Sequence, residues 1–369
     1  MKALIAAAAV LASLVAAPGP AGSAQAPTEP TADAAVPGDG WFLAAVEQGR
    51  PTREGIRAKR LRLELVAPDG DRTEVLDVRQ RGFRLVDWSP DGSTALLLAE
   101  YPKRLALQVD VTTGDVTRTA LPRNIAEAVL APDGSGLLAV AYQRGSTGRA
   151  PLLRIGWDGT RSRLNPDVDG RLLPTHDGTG LVTHGTSWKQ RVIRLVSVAD
   201  GSVQNVIPTP RRCQPVRWWD DHRVLVTCME RGATTLGLVD MRAATYTRLT
   251  ARRDPQRSDL GHLDARRAGG RLYVQVAGPC GYAYLGRQHR DGRITHVQVP
   301  RAAGNVLLVD SDGDRLTLQH AVTCDGGAVR SALASFDPAT GKERRLVTLP
   351  RDEAFAAVLP YGEPRPTGY

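Results

Sequence analysis

The chain has 369 residues, of which 42% are hydrophobic and 24% charged, and a domain of this size can bury a large core. Lysine and arginine (48) outnumber aspartate and glutamate (39), which gives a formal net charge of +9 at pH 7 and favours an anionic partner. An arginine-rich composition inherited from a GC-rich genome is the alternative explanation. Beyond the N-terminal stretch no segment is apolar enough to cross a membrane, which excludes a protein of the helical membrane-spanning class.

The N-terminus is typical of a secretion signal. Lys2 supplies the basic start, Ala3 to Ala17 form an apolar stretch, and Ala24-Gln25-Ala26 is a small-x-small cleavage site. We therefore predict a signal peptide over residues 1–26, cleaved after Ala26, and a secreted, extracytoplasmic mature chain. Residues 27–39 are rich in Pro and Ala and have no hydrophobic period, which predicts a disordered leader.

A turn motif recurs along the rest of the chain at intervals of roughly 43 to 46 residues. Its copies are Trp88-Ser89-Pro90-Asp91-Gly92, Leu130-Ala131-Pro132-Asp133-Gly134, Thr175-His176-Asp177-Gly178 and Asp310-Ser311-Asp312-Gly313. Each copy lies between two apolar runs, and Asp-Gly turns tolerate the positive φ that tight hairpins need. Repeats of this length, built from short strands, are typical of β-propeller blades, so the pattern predicts an all-β protein.

Each blade is predicted to have four antiparallel strands, which in the second unit fall at residues 83–88, 94–100, 105–111 and 116–121. The first unit lacks an innermost strand, while Ala357-Val358-Leu359 near the C-terminus repeats Ala128-Val129-Leu130. We therefore expect the C-terminal strand to complete the first unit and close a seven-bladed ring over residues 40–362. Six or eight blades are the alternatives, and residues 363–369 are interpreted as a tail.

The Ser/Ala-Pro-Asp-Gly turns between apolar strands resemble the PD40-type repeat of TolB-like, WD40-like propellers. The likeness covers about residues 41–362, and it implies the propeller fold and an exported bacterial protein. The chain departs from the TolB family in two ways. Members of that family have six blades, whereas seven are expected here, and their propeller follows an α/β domain for which this chain is expected to have no room. The resemblance implies no particular activity, since propellers host binding and catalysis alike.

Four cysteines in an exported chain predict disulfides. Cys213 and Cys228 are spaced symmetrically about a hairpin turn, so they are expected to face each other within disulfide reach. Cys280 and Cys324 fall in equivalent loops of the sixth and seventh units, where a bridge would join two blades. Neither pair has the spacing of a zinc site, which favours structural disulfides over a metal centre.

The up-and-down order of the strands sorts the connections onto two faces. One face is predicted to be basic, and its candidate binding residues are Lys103, Arg104, Lys189, Arg211 and Arg212. A long loop after the first strand is expected to add Arg50, Arg53, Arg57 and Lys59. The opposite face carries the turn aspartates, which turn chemistry explains without a partner, so the arginines are the better functional signal.

Aligning the innermost strands on their turns places four polar side chains near the mouth of the central channel: Arg84, Gln214, His262 and Asn305. They form a candidate site for a small ligand, and His262 beside Asp264 is a candidate metal ligand or general base. The alternative is that these side chains form hydrogen bonds between blades. Trp218 and Trp219 end an inner strand and either stack on a sugar or pack between blades.

These observations predict an exported, non-catalytic propeller that acts as a binding or scaffold module. Its expected partner is a protein or an anionic polymer of the cell envelope, held on the basic face, while nucleic acid is not expected. The chain is expected to be a monomer without a cofactor or metal. The alternative is an enzyme of the metal-dependent lyase or lactonase type, with its site in the central channel.

Overall fold

The computed structural model describes residues 37–52, 55–79, 82–99, 104–122, 125–141, 150–185, 190–230, 232–251, 260–302, 305–321 and 330–363. Within these residues the chain forms an all-β propeller of four-stranded antiparallel blades. The predicted signal peptide and most of the predicted leader lie outside the described residues. Within the end of that leader, Pro37 is buried and lies beside Gly92.

One sheet combines strands from the beginning and the end of the described chain, in the order β27-β1-β2-β3. Its strands are β1 (Phe42–Thr52), β2 (Gly55–Val66), β3 (Arg72–Val78) and β27 (Glu353–Pro360). β27 pairs antiparallel with β1, with Leu359 opposite Leu43 and Ala357 opposite Ala45. Ala357-Val358-Leu359 is thus paired with the first strand of the first unit, as its repeat of Ala128-Val129-Leu130 predicts.

The prediction of a long loop after the first strand is wrong, because the described residues of this region form a hairpin. β1 and β2 continue as a hairpin until Thr52 lies opposite Gly55, and within it Arg50 lies opposite Arg57. The hairpin has a register shift at Gly49, where an added Cβ would lie 2.1 Å from the carbonyl oxygen of Arg57. Arg50 and Arg57 are therefore strand residues. Arg53 lies outside the described residues.

A second sheet shows why the central strands of a blade are apolar throughout. Its strands are β4 (Phe83–Trp88), β5 (Thr94–Ala99), β6 (Leu105–Asp110) and β7 (Val116–Ala120). Leu96, Leu97 and Leu98 on β5 are all buried because the strand is covered on both sides. Most residues of the outermost strand, β7, are exposed, so this strand carries Thr and Arg.

The next seven strands form one continuous sheet. They are β8 (Ile125–Leu130), β9 (Gly136–Ala141), β10 (Ala150–Gly156), β11 (Arg161–Pro174), β12 (Gly180–His184), β13 (Val192–Ser197) and β14 (Val203–Pro208). The 14-residue strand β11 makes this possible. Its first part pairs with β10, where Arg161 lies opposite Ile155, and its last part pairs with β12, where Leu173 lies opposite Val182.

Eight further strands form another sheet, in which β17 and β19 are joined by one parallel pair, Thr234 and Gly261. The strands are β15 (Cys213–Trp218), β16 (Arg223–Glu230), β17 (Ala233–Asp240), β18 (Thr245–Arg248), β19 (Gly261–Ala268), β20 (Arg271–Ala277), β21 (Ala283–Gln288) and β22 (Ile294–His296). A short 3₁₀ helix, Pro279–Gly281, lies between β20 and β21. A last sheet has β23 (Val306–Asp312), β24 (Arg315–His320), β25 (Ala332–Asp337) and β26 (Lys342–Thr348).

The sequence predicts seven separate sheets, whereas the described strands form five. The physical reason is that backbone pairing continues between successive repeat units at two places, through β11 and through the β17–β19 pair. A repeat in the sequence marks where an apolar unit begins, but it does not decide whether an outer strand also bonds to the following unit.

Alternate residues of a strand pack against different neighbouring sheets. On β1, Leu43 belongs to a core cluster with Leu85 of β4, whereas Ala44 belongs to a second cluster with Val309 of β23. The period of two that separates the faces of a strand thus supplies both contacts. Burying a leucine side chain in this way contributes about 1.5–3 kcal/mol, so these interfaces stabilise the arrangement of the sheets.

Candidate functional site

Bulges lie in five innermost strands, and a charged residue follows each of them. The register shifts immediately before Asp87, Glu127, Arg217, Asp264 and Asp310, on strands β4, β8, β15, β19 and β23. A bulge adds one residue to one strand and turns the next side chain in a new direction. Asp87, Arg217 and Asp310 are the fifth residues of their strands, whereas Glu127 is the third and Asp264 the fourth.

Arg217 is the first member of a buried charged cluster. It is 4% exposed, and its Nε donates a hydrogen bond to Asp264 Oδ1 at 3.1 Å. Its Nη1 donates to the carbonyl oxygen of Trp218 at 2.8 Å, and its Nη2 donates to the carbonyl oxygen of Ala265. Burial lowers the pKa of Arg217, as does the nearby charge of Arg266.

Arg266 is the second buried arginine of this cluster, and it links three segments of the chain. Its Nη2 donates to the carbonyl oxygen of Val309 at 2.8 Å and to Glu363 Oε2 at 2.6 Å. Its Nη1 lies 3.1 Å from Asp310 Oδ1. Burial disfavours the charge, but the carboxylates of Glu363, Asp310 and Asp264 outweigh it and raise the pKa of Arg266.

Glu363 is the first residue of the segment interpreted as a tail, and it contacts the buried arginines. Its Oε1 lies 3.7 Å from Arg217 Nη1, so its carboxylate contacts both arginines of the cluster. We call Arg217, Asp264, Arg266, Asp310 and Glu363 the inner charge cluster. Its residues come from β15, β19 and β23 and from the segment after β27.

Two tryptophans flank this cluster in different ways. Trp218 donates its indole N–H to the carbonyl oxygen of Pro174 at 2.7 Å, and its ring centroid lies 5.0 Å from that of His176. It therefore packs between repeat units, one of the two roles expected from the sequence. The Trp219 ring lies beneath two guanidinium groups, 5.3 Å from that of Arg217 and 5.8 Å from that of Arg267.

Asp87, on β4, is a buried carboxyl group outside this cluster. Its Oδ1 accepts a hydrogen bond from the backbone N–H of Trp88 at 2.9 Å, and its Oδ2 accepts one from Leu130 at 2.8 Å. Burial raises the pKa of Asp87 to about 7, although both backbone donors favour the charged form. A carboxyl group that titrates near neutral pH is a candidate proton carrier, and it lines the cavity described next.

A cavity of about 460 Å³ lies among the repeated turns. It is lined by Asp87 and by turn residues from three successive units, including Asp91, Asp133, His176 and Asp177. The turn aspartates are engaged within their own turns. Asp177, for example, accepts hydrogen bonds from the Thr175 hydroxyl at 2.6 Å and from the Thr179 backbone N–H at 3.0 Å, and these hydrogen bonds lower the pKa of Asp177.

A group of positive charges lies around His184, at the end of β12. Burial and, to a smaller extent, the charges of Arg212, Arg171 and Arg194 together lower the pKa of His184 to about 4. Of the candidate binding residues, Arg212 is exposed and Arg211 is half-buried. Arg104 is half-buried with a positive φ of 48°. Lys103 and Lys189 lie outside the described residues.

The four residues predicted at the channel mouth are engaged by neighbouring elements. Arg84 Nη2 lies 3.9 Å from Glu127 Oε2, and Asn305 Oδ1 accepts a hydrogen bond from the backbone N–H of Ala283 at 3.0 Å. Gln214 lies opposite Thr227 in the β15–β16 hairpin.

His262 is 1% exposed, and its Nδ1 lies 2.8 Å from the Thr250 hydroxyl oxygen. Thr250 lies between β18 and β19, and the role of His262, in a ligand site or in hydrogen bonds between blades, stays a prediction. No group of three His, Cys, Asp or Glu residues suited to a metal ion occurs in the described part of the chain.

One predicted disulfide is present in the structure. Cys213 and Cys228 lie directly opposite each other in the β15–β16 hairpin, with an S–S distance of 2.01 Å and a Cα–Cα distance of 4.0 Å. Cys213, the first cysteine of this disulfide, directly follows Arg212 in the sequence. The second predicted disulfide, between Cys280 and Cys324, cannot be compared with the structure, because Cys324 lies outside the described residues. The Cys280–Cys324 bridge therefore stays a prediction.

Of the inner charge cluster, sequence reasoning singles out only Asp264, beside His262. Arg217 interrupts the mostly apolar strand β15 shortly before a turn, which is a usable signal, whereas Arg266 lies in a strand that already contains other charged residues. For Glu363 there was no such signal, because it follows the last strand and was assigned to the tail. Among the described residues, no helix has the length and hydrophobicity needed to span a bilayer.

Comparisons with protein-family models and with curated proteins give no match for this sequence. Solved structures with a similar fold include a prolyl endopeptidase, at 13% identity over 85% of this chain and 50% of that chain, with a TM-score of 0.54. They also include the β-propeller domain of the Trilobed protease from Pyrococcus furiosus, at 13% identity over 83% and 96% of the two chains, with a TM-score of 0.50. TolB from Acinetobacter baumannii matches at 13% identity over 87% and 68%, with a TM-score of 0.46.

These matches show that the class of the protein is the β-propeller, as the repeat predicts. The chain spans about half the length of the prolyl endopeptidase that it resembles. At such low identity the likeness extends to the fold alone, and function has to be argued from the chain's own residues.

Proposed function

We propose that this protein is an extracytoplasmic, non-catalytic binding module that holds a protein or an anionic envelope polymer on its basic face. The observation that carries the proposal is the group formed by Arg171, Arg194 and Arg212, whose charges all act on His184. Three arginines around one buried, neutral imidazole leave a local excess of positive charge. Such a surface attracts an anionic partner and orients it.

The basic group is assembled from three elements of the chain. Arg171 lies on β11, Arg194 on β13 and Arg212 between β14 and β15. Strand pairing with Thr183 holds Arg194 in place, and the Cys213–Cys228 disulfide directly follows Arg212. A surface held by strands and a disulfide loses little conformational entropy on binding, which favours affinity.

The disulfide also supports the proposed location, because such bonds persist in oxidising compartments. We further propose that the seven-stranded and eight-stranded sheets each comprise two blades, so that the propeller has seven blades closed into a ring. The pairing of β27 with β1 supports this closure. Proteins without exposed sheet edges resist edge-to-edge association, which is consistent with a monomer.

A charge-reversal experiment tests the basic face. The mature chain, residues 27–369, would be passed over immobilised polyphosphate at low and at moderate salt, beside the double variant Arg211→Glu with Arg212→Glu. A matched double variant, Arg118→Glu with Arg163→Glu, changes the net charge equally at two exposed arginines on β7 and β11.

We expect salt-sensitive retention of the native chain and of the matched variant, and early elution of the Arg211/Arg212 variant. Equal elution of the two double variants would refute the basic face as the binding surface, because net charge alone would then explain retention. Capture from envelope extract under the same conditions would then identify the natural partner. The alternative of a metal-dependent lyase or lactonase stays a prediction that metal analysis of the purified protein would test.

A further inference from the structure

The carboxylate of Glu363 lies between two buried guanidinium groups. Its Oε2 accepts a hydrogen bond from Arg266 Nη2 at 2.6 Å, and its Oε1 lies 3.7 Å from Arg217 Nη1. The side chains of both arginines are at least nine-tenths buried. A pair of buried arginines that faces one carboxylate has the chemistry of a carboxylate-binding site.

The two arginines are held in place without Glu363. Arg217 is fixed by Asp264 and by the carbonyl oxygens of Trp218 and Ala265. Arg266 is fixed by Asp310 and by the carbonyl oxygen of Val309. Asp264 and Asp310 already balance the two positive charges, so neutralising the cluster does not require a third carboxylate.

Glu363 also occupies the arginine pair incompletely. With the two arginines, its carboxylate makes one short hydrogen bond, to Arg266, and one contact that is too long for a hydrogen bond, to Arg217. The Nε of Arg266 is buried and has no hydrogen-bond acceptor among the described residues. A carboxylate that is free to rotate could bind a guanidinium through two parallel hydrogen bonds, which is the stronger arrangement. The site therefore has unused capacity for an incoming carboxylate.

The connection to Glu363 allows the carboxylate to leave. Tyr361 is anchored, because its backbone N–H donates to the carbonyl oxygen of Trp41 at 2.9 Å and its ring contacts Trp88, with the centroids 5.6 Å apart. Gly362 follows with a φ of 70° and is exposed, and apart from its chain neighbours no described residue lies within 4 Å of the position of a Cβ. Rotation about Gly362 would move Glu363 without disturbing β27.

We propose that Arg217 and Arg266 form a carboxylate-binding site for an acidic segment of a partner protein, with Glu363 as a built-in occupant that the partner displaces. The site uses residues of the innermost strands and none from the basic face, so the inference does not depend on the proposed function. Because an occupant that competes for a site lowers the apparent affinity for the ligand, removing it strengthens binding.

The test measures binding of a fluorescein-labelled, amidated hexaglutamate peptide by fluorescence anisotropy. It compares the native chain with Glu363→Gln and with Asp352→Asn, which removes one negative charge at an exposed residue near the start of β27. We expect Glu363→Gln to bind about 10-fold more tightly than the native chain if Glu363 fills the site roughly nine-tenths of the time. Asp352→Asn is expected to bind like the native chain.

Two further arms locate the site and identify the source of the carboxylate. Adding Arg211→Glu and Arg212→Glu to Glu363→Gln should preserve the tightening, whereas its loss would move the peptide to the basic face and overturn the inference. The source of the carboxylate is tested by competition with acetyl-trialanine, whose only carboxylate is C-terminal. Displacement of the hexaglutamate peptide by this compound would show that a terminal carboxylate also binds, and the amide of acetyl-trialanine is the control. Equal competition by the amide, which has no carboxylate, would also overturn it.

The folded state of each variant is checked by circular dichroism and thermal unfolding. If Glu363→Gln folds but binds no more tightly, Glu363 is not a displaceable occupant and the inference fails. If Glu363→Gln does not fold, Glu363 is a structural brace, which contradicts the inference equally.

Discussion

The side chain of Asp87 joins two innermost strands, because its Oδ2 accepts a hydrogen bond from the backbone N–H of Leu130 at 2.8 Å. Asp87 lies on β4 and Leu130 ends β8, so one carboxylate connects two successive repeat units. The bulge before Asp87 turns this side chain toward its neighbour. Because Asp87 is buried, the ionisation of its carboxyl group is linked to the stability of the fold.

The first prediction concerns the pH dependence of that connection. Burial raises the pKa of Asp87 from 3.8 to about 7 in the folded chain. Between these values the folded state holds a proton that the unfolded state has lost, so the free energy of unfolding decreases as pH rises and levels off above the folded pKa. Asp87→Asn should lack this slope, which is at most about 1.4 kcal/mol per pH unit.

Urea unfolding of the two chains across this pH window measures the difference. Asp177→Asn is the matched control, because hydrogen bonds from Thr175 and Thr179 lower the pKa of Asp177 and its titration falls below the window. If the free energies of unfolding of the native chain and of Asp87→Asn changed in parallel with pH, Asp87 would ionise in the folded state without a loss of stability, and the prediction would be wrong.

The second prediction concerns the Cys213–Cys228 disulfide, which closes a loop with a sequence separation of 15. Replacing both cysteines by alanine should lower the free energy of unfolding by about 3 kcal/mol, because the unfolded chain regains the freedom that the cross-link removes. Denaturation without reductant measures the loss. Adding reductant should bring the native chain to the level of the variant; a difference that persisted would assign the effect to packing of the sulfurs.

The third prediction concerns the close approach of Gly170 to His184. Gly170 has a φ of 73°, and a Cβ added to it would lie 1.9 Å from His184 Cε1. Gly170→Ala should therefore lower the free energy of unfolding by about 2–4 kcal/mol, through backbone strain and displacement of the imidazole. Gly159→Ala isolates the strain, since Gly159 has a φ of 85° and nothing within 4 Å of its Cβ position. Equal losses in the two variants would mean that His184 moves aside freely.

The fourth prediction concerns the hydrogen bond from Trp218 to the carbonyl oxygen of Pro174, 2.7 Å long. Trp218→Phe keeps an aromatic ring but leaves the carbonyl oxygen of the half-buried Pro174 without its indole donor, at a cost of about 1–3 kcal/mol. Trp157→Phe removes a similar bond, to Gly134 at 2.9 Å, at an exposed position, where water can replace the donor. Thermal unfolding should rank Trp218→Phe well below Trp157→Phe, and the reverse order would count against the role of Trp218 between units.

Local features of the fold were predictable because they depend on short stretches of chain. The strands predicted in the second unit agree with β4 to β7 within one residue at each end. Hairpin symmetry also paired Cys213 with Cys228. The extension of the β1–β2 hairpin was missed, since its polar residues read as a loop when the pairing partner is not considered.

The candidate site was predictable only in part. Arg211 and Arg212 could be assigned to the connection between β14 and β15 from the order of strands, but their place on a binding surface stays a prediction. The convergence of Arg171, Arg194 and Arg212 on His184 depends on how two hairpins and a connection meet, which no local pattern records.

The sequence by itself determined that this protein is a propeller, because its Asp-Gly turns and apolar strands repeat and each unit needs neighbours to cover its apolar faces. Tertiary structure alone decided which charges meet. Arg266 and Glu363 are 97 residues apart in sequence, and they come into contact because the innermost strands of different units converge. Contacts of that kind depend on the relative positions of whole sheets, whereas the spacing of residues along the chain specifies only what happens within one unit.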